Sequence, residues 1–158
     1  MGAIEIHGVG EIINRLEVLS NKFDEQKMQK TLLTVGNIIR NSIEDSFEAE
    51  TSPFGERWKP NIRGGKVLSD SGRLGNSFTI KATSNSVTVG TNVKYAAIHN
   101  FGGIIKPKNK KYLRFRVGGK WVTKKSVKIP KRQFMPISGG GELLPKTKNE
   151  IMNYLNRL

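Results

Sequence analysis

The sequence predicts an α+β domain, with a small antiparallel sheet packed against a long amphipathic helix and a C-terminal helix, and with a basic β-hairpin projecting from the body. Three patterns carry this. From Met28, the apolar residues Leu32, Val35, Ile39, Ile43 and Phe47 recur every three or four positions, and Ile38 widens the stripe. Residues 79 to 83 and 86 to 91 read as two strands turning at Ser84-Asn85, with Val87 and Val89 on one face. Residues 112 to 117 alternate, turn at Gly118-Gly119 and resume as a strand from Lys120 to Lys124.

Taken in order, Ile4-Glu-Ile6 alternates like the start of a strand. Ile12, Ile13, Leu16, Leu19 and Phe23 then fall at helical spacing, predicting a short amphipathic helix over residues 11 to 23. Asp24 is placed to cap the long helix, although Lys27 stands where a full capping box needs a glutamate. That helix should end near Glu50, because Thr51-Ser-Pro-Phe-Gly55 combines a proline and a glycine, and residues 51 to 68 read as a loop. Ser69-Asp-Ser71 offers caps for a short helix presenting Leu74 and Phe78. Tyr95, Ile98 and Phe101 have helical spacing and run into Gly102-Gly103, a helix end. After the Gly139-Gly-Gly141 hinge, Leu144, Ile151, Met152 and Leu155 mark a final helix. The 158 residues suit a single domain, 1 to 158, with a hairpin arm over residues 106 to 128.

Charge is distributed unevenly. Residues 1 to 50 hold nine acidic and five basic side chains, net −4, whereas residues 51 to 158 hold four acidic and 22 basic, net +18. From Lys106 to Arg132 there are twelve Lys or Arg and no carboxylate, a field that attracts nucleic acid or an acidic protein face. Lys106, Lys108, Lys110, Lys111, Arg114, Arg116, Lys120, Lys124 and Lys125 are the expected contacts. Tyr112, Phe115 and Trp121 are interleaved with them as in single-strand binders, but the same pattern arises when one face of a ribbon is core and the other solvated. Trp58, a large apolar side chain in a predicted loop, either plugs the core from outside or contacts a partner.

Covalent chemistry finds little support. The absence of cysteine removes disulfides and thiolate metal sites, and the two histidines, His7 and His99, are too far apart in sequence to suggest a zinc site. His99 is expected to be a structural histidine bonding nearby backbone, and neither Ser126 nor Ser138 lies in a nucleophile elbow. Gly72-Arg-Leu-Gly75 lacks the strand and lysine of a phosphate-binding loop. No enzyme activity, cofactor or metal is expected. The N-terminus lacks signal-peptide character and no run approaches the roughly 20 apolar residues of a membrane span, so cytosolic synthesis without membrane insertion is expected.

Four segments together resemble the phage virion morphogenesis family, whose members are called tail completion proteins. They are GERWKP at 55 to 60, LSDSGRLGNSF at 68 to 78, YAAIHNFGG at 95 to 103 and IPKRQFMPIS at 129 to 138. The resemblance rests on Trp58, Asp70, Gly72, Arg73, Leu74, Tyr95, His99, Phe101, Gly102, Gly103, Arg132 and Phe134, and covers the chain from about residue 30. Ser71 stands where the family more often has Thr, Asn100 where Gln is common, and Gln133 where Pro is commoner, the last expected to loosen the backbone. The resemblance implies a structural part made in the bacterial cytoplasm and placed in the virion tail or neck. It would complete the tail or join it to the head as a ring-like homo-oligomer, in contact with other phage proteins and with possible DNA contact. The alternative from composition is a stand-alone basic nucleic-acid-binding protein.

Overall fold

A computed structural model describes residues 7–158, so the strand expected at Ile4-Glu-Ile6 lies outside the described residues. Its fold is α+β: helices combined with small antiparallel ladders.

Helix α1 spans Gly10–Ser20 and α2 spans Glu25–Ala49. The expected cap is present, with Asp24 Oδ1 accepting the Lys27 N–H at 2.7 Å. At the other end Glu50 adopts a left-handed conformation (φ 54°), and its carboxylate accepts the backbone N–H of Val67. Loop 51 to 68 is thereby tied to the helix terminus. The predicted stripe is the buried one, since Met28, Leu32, Val35, Ile43 and Phe47 are all buried. Each such side chain contributes about 1.5–3 kcal/mol of apolar burial.

Strands β1 (Thr79–Ala82) and β2 (Val87–Gly90) pair antiparallel, with Ile80 opposite Val89, and lie across α2. Gly36 permits this approach, because a Cβ there would sit 2.5 Å from Ile80 Cγ2 and 2.8 Å from Val87 Cγ2. Helix α4 (Pro145–Leu155) begins with proline at its first turn and packs on α1 and α2. Thr147 Oγ1 donates to Ser42 Oγ at 3.2 Å, Arg15 Nε to Leu155 O at 3.2 Å, and Lys148 meets Glu11 at 2.9 Å.

Beside the small β1–β2 sheet stand the expected hairpin and one further strand pair that the sequence did not announce. Helix α3 (Ala96–Phe101) leads into β3 (Gly103–Ile105), which pairs with β6 (Val127–Ile129), while β4 (Leu113–Val117) pairs with β5 (Lys120–Lys124). Each pair is a separate two-stranded ladder. Before β1, the expected capped helix is reduced to a 3-10 turn at Gly75–Ser77 without a side-chain cap, although Leu74 and Phe78 are buried as expected.

The core has two clusters along α2. One joins Ile12, Leu19, Met28, Val35, Ile151 and Leu155; the other gathers Ile43, Phe47, Trp58, Leu74, Phe78 and Phe134. Ile39 and Met135 pack against both.

Candidate functional site: the motif junction and the basic arm

The four motif segments meet on the C-terminal half of α2. Phe47 is the hub, with the rings of Trp58, Phe78 and Phe134 centred 5.4, 6.2 and 5.3 Å away. These edge-on and tilted arrangements favour aromatic pairs beyond the area that they bury. Trp58 therefore plugs the core. At 5% exposure it is unavailable as the partner contact considered from sequence. Its indole N–H has a partner, the Gln133 carbonyl at 2.9 Å.

Hydrogen bonds reinforce the same junction. Buried Arg132 donates from Nε to Lys59 O at 2.9 Å and from Nη2 to Pro60 O at 3.1 Å, binding the last segment to the first. Burial pushes its pKa down from the usual arginine value. Asn100 Oδ1 accepts from both Phe134 N and Met135 N. Gln133 was expected to loosen the backbone; instead its side-chain amide donates to Met135 O and Ile137 O and ties its own loop together. Gly102 has φ +70°, and a Cβ there would lie 2.8 Å from Lys131 N, so only glycine brings α3 this close to the returning strand.

Helix α3 differs from the expectation in which side it buries. Ala96 and Asn100 face inward, while Tyr95 and Phe101 are 43% and 59% exposed. The apolar spacing marked the outer face. His99 also departs from expectation: its backbone carbonyl accepts Arg132 N at 2.8 Å, but its ring Nδ1 is buried without a hydrogen-bond partner among the described residues. Burial lowers its pKa, and the positive charge of Arg132 lowers it further. The imidazole is thus held neutral. Edge-on to Tyr95, with ring centres 5.9 Å apart, it lines a cavity shared with the segment around Asp70, Gly72 and Arg73. Asp70 does not cap a helix; it is exposed and pairs with Arg63 at 3.4 Å.

The basic arm rises from this junction. The short β3–β6 ladder forms its base, and the β4–β5 ribbon carries Arg114, Arg116, Lys120 and Lys124, all exposed. Lys106, Lys108, Lys110 and Lys111 are exposed on the ascending connection and Lys125 on the return. The ribbon has two chemically distinct faces, because alternate residues point to opposite sides. Leu113, Phe115, Val117 and Val122 are half-buried on one. On the other, Arg114 and Arg116 lie 4.5 and 5.0 Å from the Trp121 ring, itself 57% exposed. These are cation–π distances.

Among the described residues no group of three or more His, Asp or Glu is placed to hold a metal ion, and no helix is long and apolar enough to cross a membrane.

The profile of the phage virion morphogenesis family matches residues 7–157, nearly the whole chain and all four converging segments. The chain belongs to that family. This virion morphogenesis protein is also similar to FluMu G protein 2, a Mu-like prophage protein of Haemophilus influenzae, with 33% identity over 100 residues. The aligned stretch is 63% of this chain and 70% of the relative. No solved structure matches it. The family places this protein in phage morphogenesis, among other virion proteins as partners.

Proposed function

We propose that this virion morphogenesis protein is a non-catalytic structural subunit that completes the tail or joins it to the head. It works as a ring of identical copies, made in the host cytoplasm and then built into the tail or neck. The observation that carries this is the exposed basic arm, set against an N-terminal third, residues 1 to 50, that is net acidic. Closed rings need two different surfaces that meet head to tail. The arm supplies one, with its exposed Lys and Arg residues; the C-terminal part of α2 supplies the other, with exposed Glu44, Asp45 and Glu48. Opposed charge steers such contacts and fixes their register.

A specific observation also favours a nucleic-acid role for the arm. An exposed indole flanked by two guanidiniums is the arrangement on which an unpaired base stacks, as in stand-alone single-strand binders. In a ring, the same face would line the passage for DNA.

Light scattering over a concentration series, at low and moderate salt and with and without short DNA, separates these. The ring predicts concentration-dependent oligomers of the wild-type protein that disappear when Lys110, Lys111, Arg114 and Arg116 are all replaced by Glu. If the variant keeps its rings and loses DNA binding, the arm faces DNA. A wild-type monomer that binds DNA with steep salt dependence contradicts the ring and supports the stand-alone binder.

A further inference from the structure

Most of the apolar motif residues, together with buried Asn100, build the core, but several polar residues of the two middle segments stand outside it. Asp70 and Arg73 from one, Tyr95 and His99 from the other, and Asn61 and Arg63 from the preceding loop line a single cavity of about 360 Å³. Its charges are unequal. Asp70 pairs with Arg63, whereas the Arg73 guanidinium has no ion partner among the described residues. Buried Leu74 and the Tyr95 ring add apolar wall.

We propose that this cavity docks one carboxylate-bearing side chain of a neighbouring virion protein, with Arg73 as its ion partner. The proposal rests on the reading that the chain acts by fitting against virion proteins. The size is at the lower end for ligand sites, roughly 300–1,000 Å³, and suits one acidic side chain with flanking backbone. Arg73 is the cation of the lining without an ion partner among the described residues, and Arg132 beside His99 adds further positive charge that favours an anionic side chain. Guanidinium and carboxylate also match in geometry, forming paired, charge-assisted hydrogen bonds. Apolar wall beside the cation accommodates the methylenes of an aspartate or glutamate. The His99 ring lines the same wall and, being held neutral, adds no charge there.

Acetyl-glutamate amide serves as the probe, titrated into the full-length isotope-labelled protein at constant ionic strength and followed by NMR. Acetyl-glutamine amide is the neutral control, and inorganic phosphate the competing anion. The expected result is saturable shifts at Arg73 Nε–H and the His99 ring, with a dissociation constant on the order of millimolar. The His99 pKa should rise on saturation, and Arg73→Gln should weaken binding at least about tenfold. Arg73 is exposed, so this variant leaves the core intact, and Arg73→Lys should restore part of the binding. Shifts confined to the arm, an equal response to the glutamine probe, or displacement by phosphate at lower concentration would each overturn the proposal. Self-association of the same samples reports on the ring and not on the cavity, so the two readings fail separately.

Discussion

Asn100 fixes Phe134 through its side-chain oxygen, which accepts the Phe134 backbone N–H at 3.0 Å and that of Met135 at the same distance. One amide oxygen thus uses both of its acceptor sites to dock the last motif segment onto α3. Phe134 in turn contacts Phe47 and Phe78, so the position of the aromatic core depends on this polar contact.

Replacing Asn100 with Ala should leave two N–H groups unpaired, one of them fully buried, and destabilise the protein by about 2–4 kcal/mol. Urea unfolding measures this. A loss below about 0.5 kcal/mol, the usual scale of a surface substitution, would contradict the role given to Asn100.

Arg132→Lys should keep the charge but lose the fork that reaches Lys59 O and Pro60 O together, lowering stability by about 1–2 kcal/mol. Arg132→Met should cost more, since it leaves both carbonyls without their donor. The order of the thermal midpoints, wild type above Lys above Met, checks this.

Gly36→Val places side-chain atoms where Ile80 and Val87 already lie. Both neighbours are β-branched and cannot rotate aside cheaply. Overpacking of this kind costs about 1–3 kcal/mol, and even Gly36→Ala should not realise the roughly 1 kcal/mol helix-propensity gain expected at an open site. A stabilised Gly36→Ala protein would mean that the hairpin does not lie on α2 this closely.

His99 gives a pH dependence with a definite sign. Its folded-state pKa lies below the ordinary 6.5, through burial first and Arg132 second, so the folded protein prefers the neutral ring. The contribution is complete above about pH 6.5 and is lost as pH falls through the folded-state value, because the unfolded chain binds the proton more readily. Unfolding free energies between pH 8 and 5 should fall more steeply for the wild type than for His99→Gln. Parallel curves would remove His99 as the cause.

What the sequence made legible were the local features. The α2 stripe, its Asp24 cap, its end at Glu50 and both hairpins follow from periodicity and turn chemistry, and they stand where those rules put them. Long-range relations were not legible. The β3–β6 ladder joins three-residue strands about 20 residues apart, too short for alternation to register. Tyr95 and Phe101 have core-like spacing, yet α3 buries Ala96, which joins the cluster of Phe134, and Asn100, whose amide satisfies the Phe134 backbone, a role that apolar spacing does not register. Trp58 left two readings open in the sequence, and its burial with the indole N–H bonded to Gln133 O decides for the core. Motif membership did not tell the residues that build the junction, such as Trp58 and Phe134, from those that line the cavity beside it, such as Arg73 and Tyr95.

The central claim is that this protein acts as a structural part of the virion through shape and opposed charge. Deleting its gene from a phage that carries it, and imaging the resulting particles by negative-stain electron microscopy alongside plaque counts, tests this most directly. The account predicts heads and tails that are unjoined or unfinished, with infectivity restored by the wild-type gene and not by the quadruple arm reversal. Infectious, fully tailed particles from the deleted phage would contradict it.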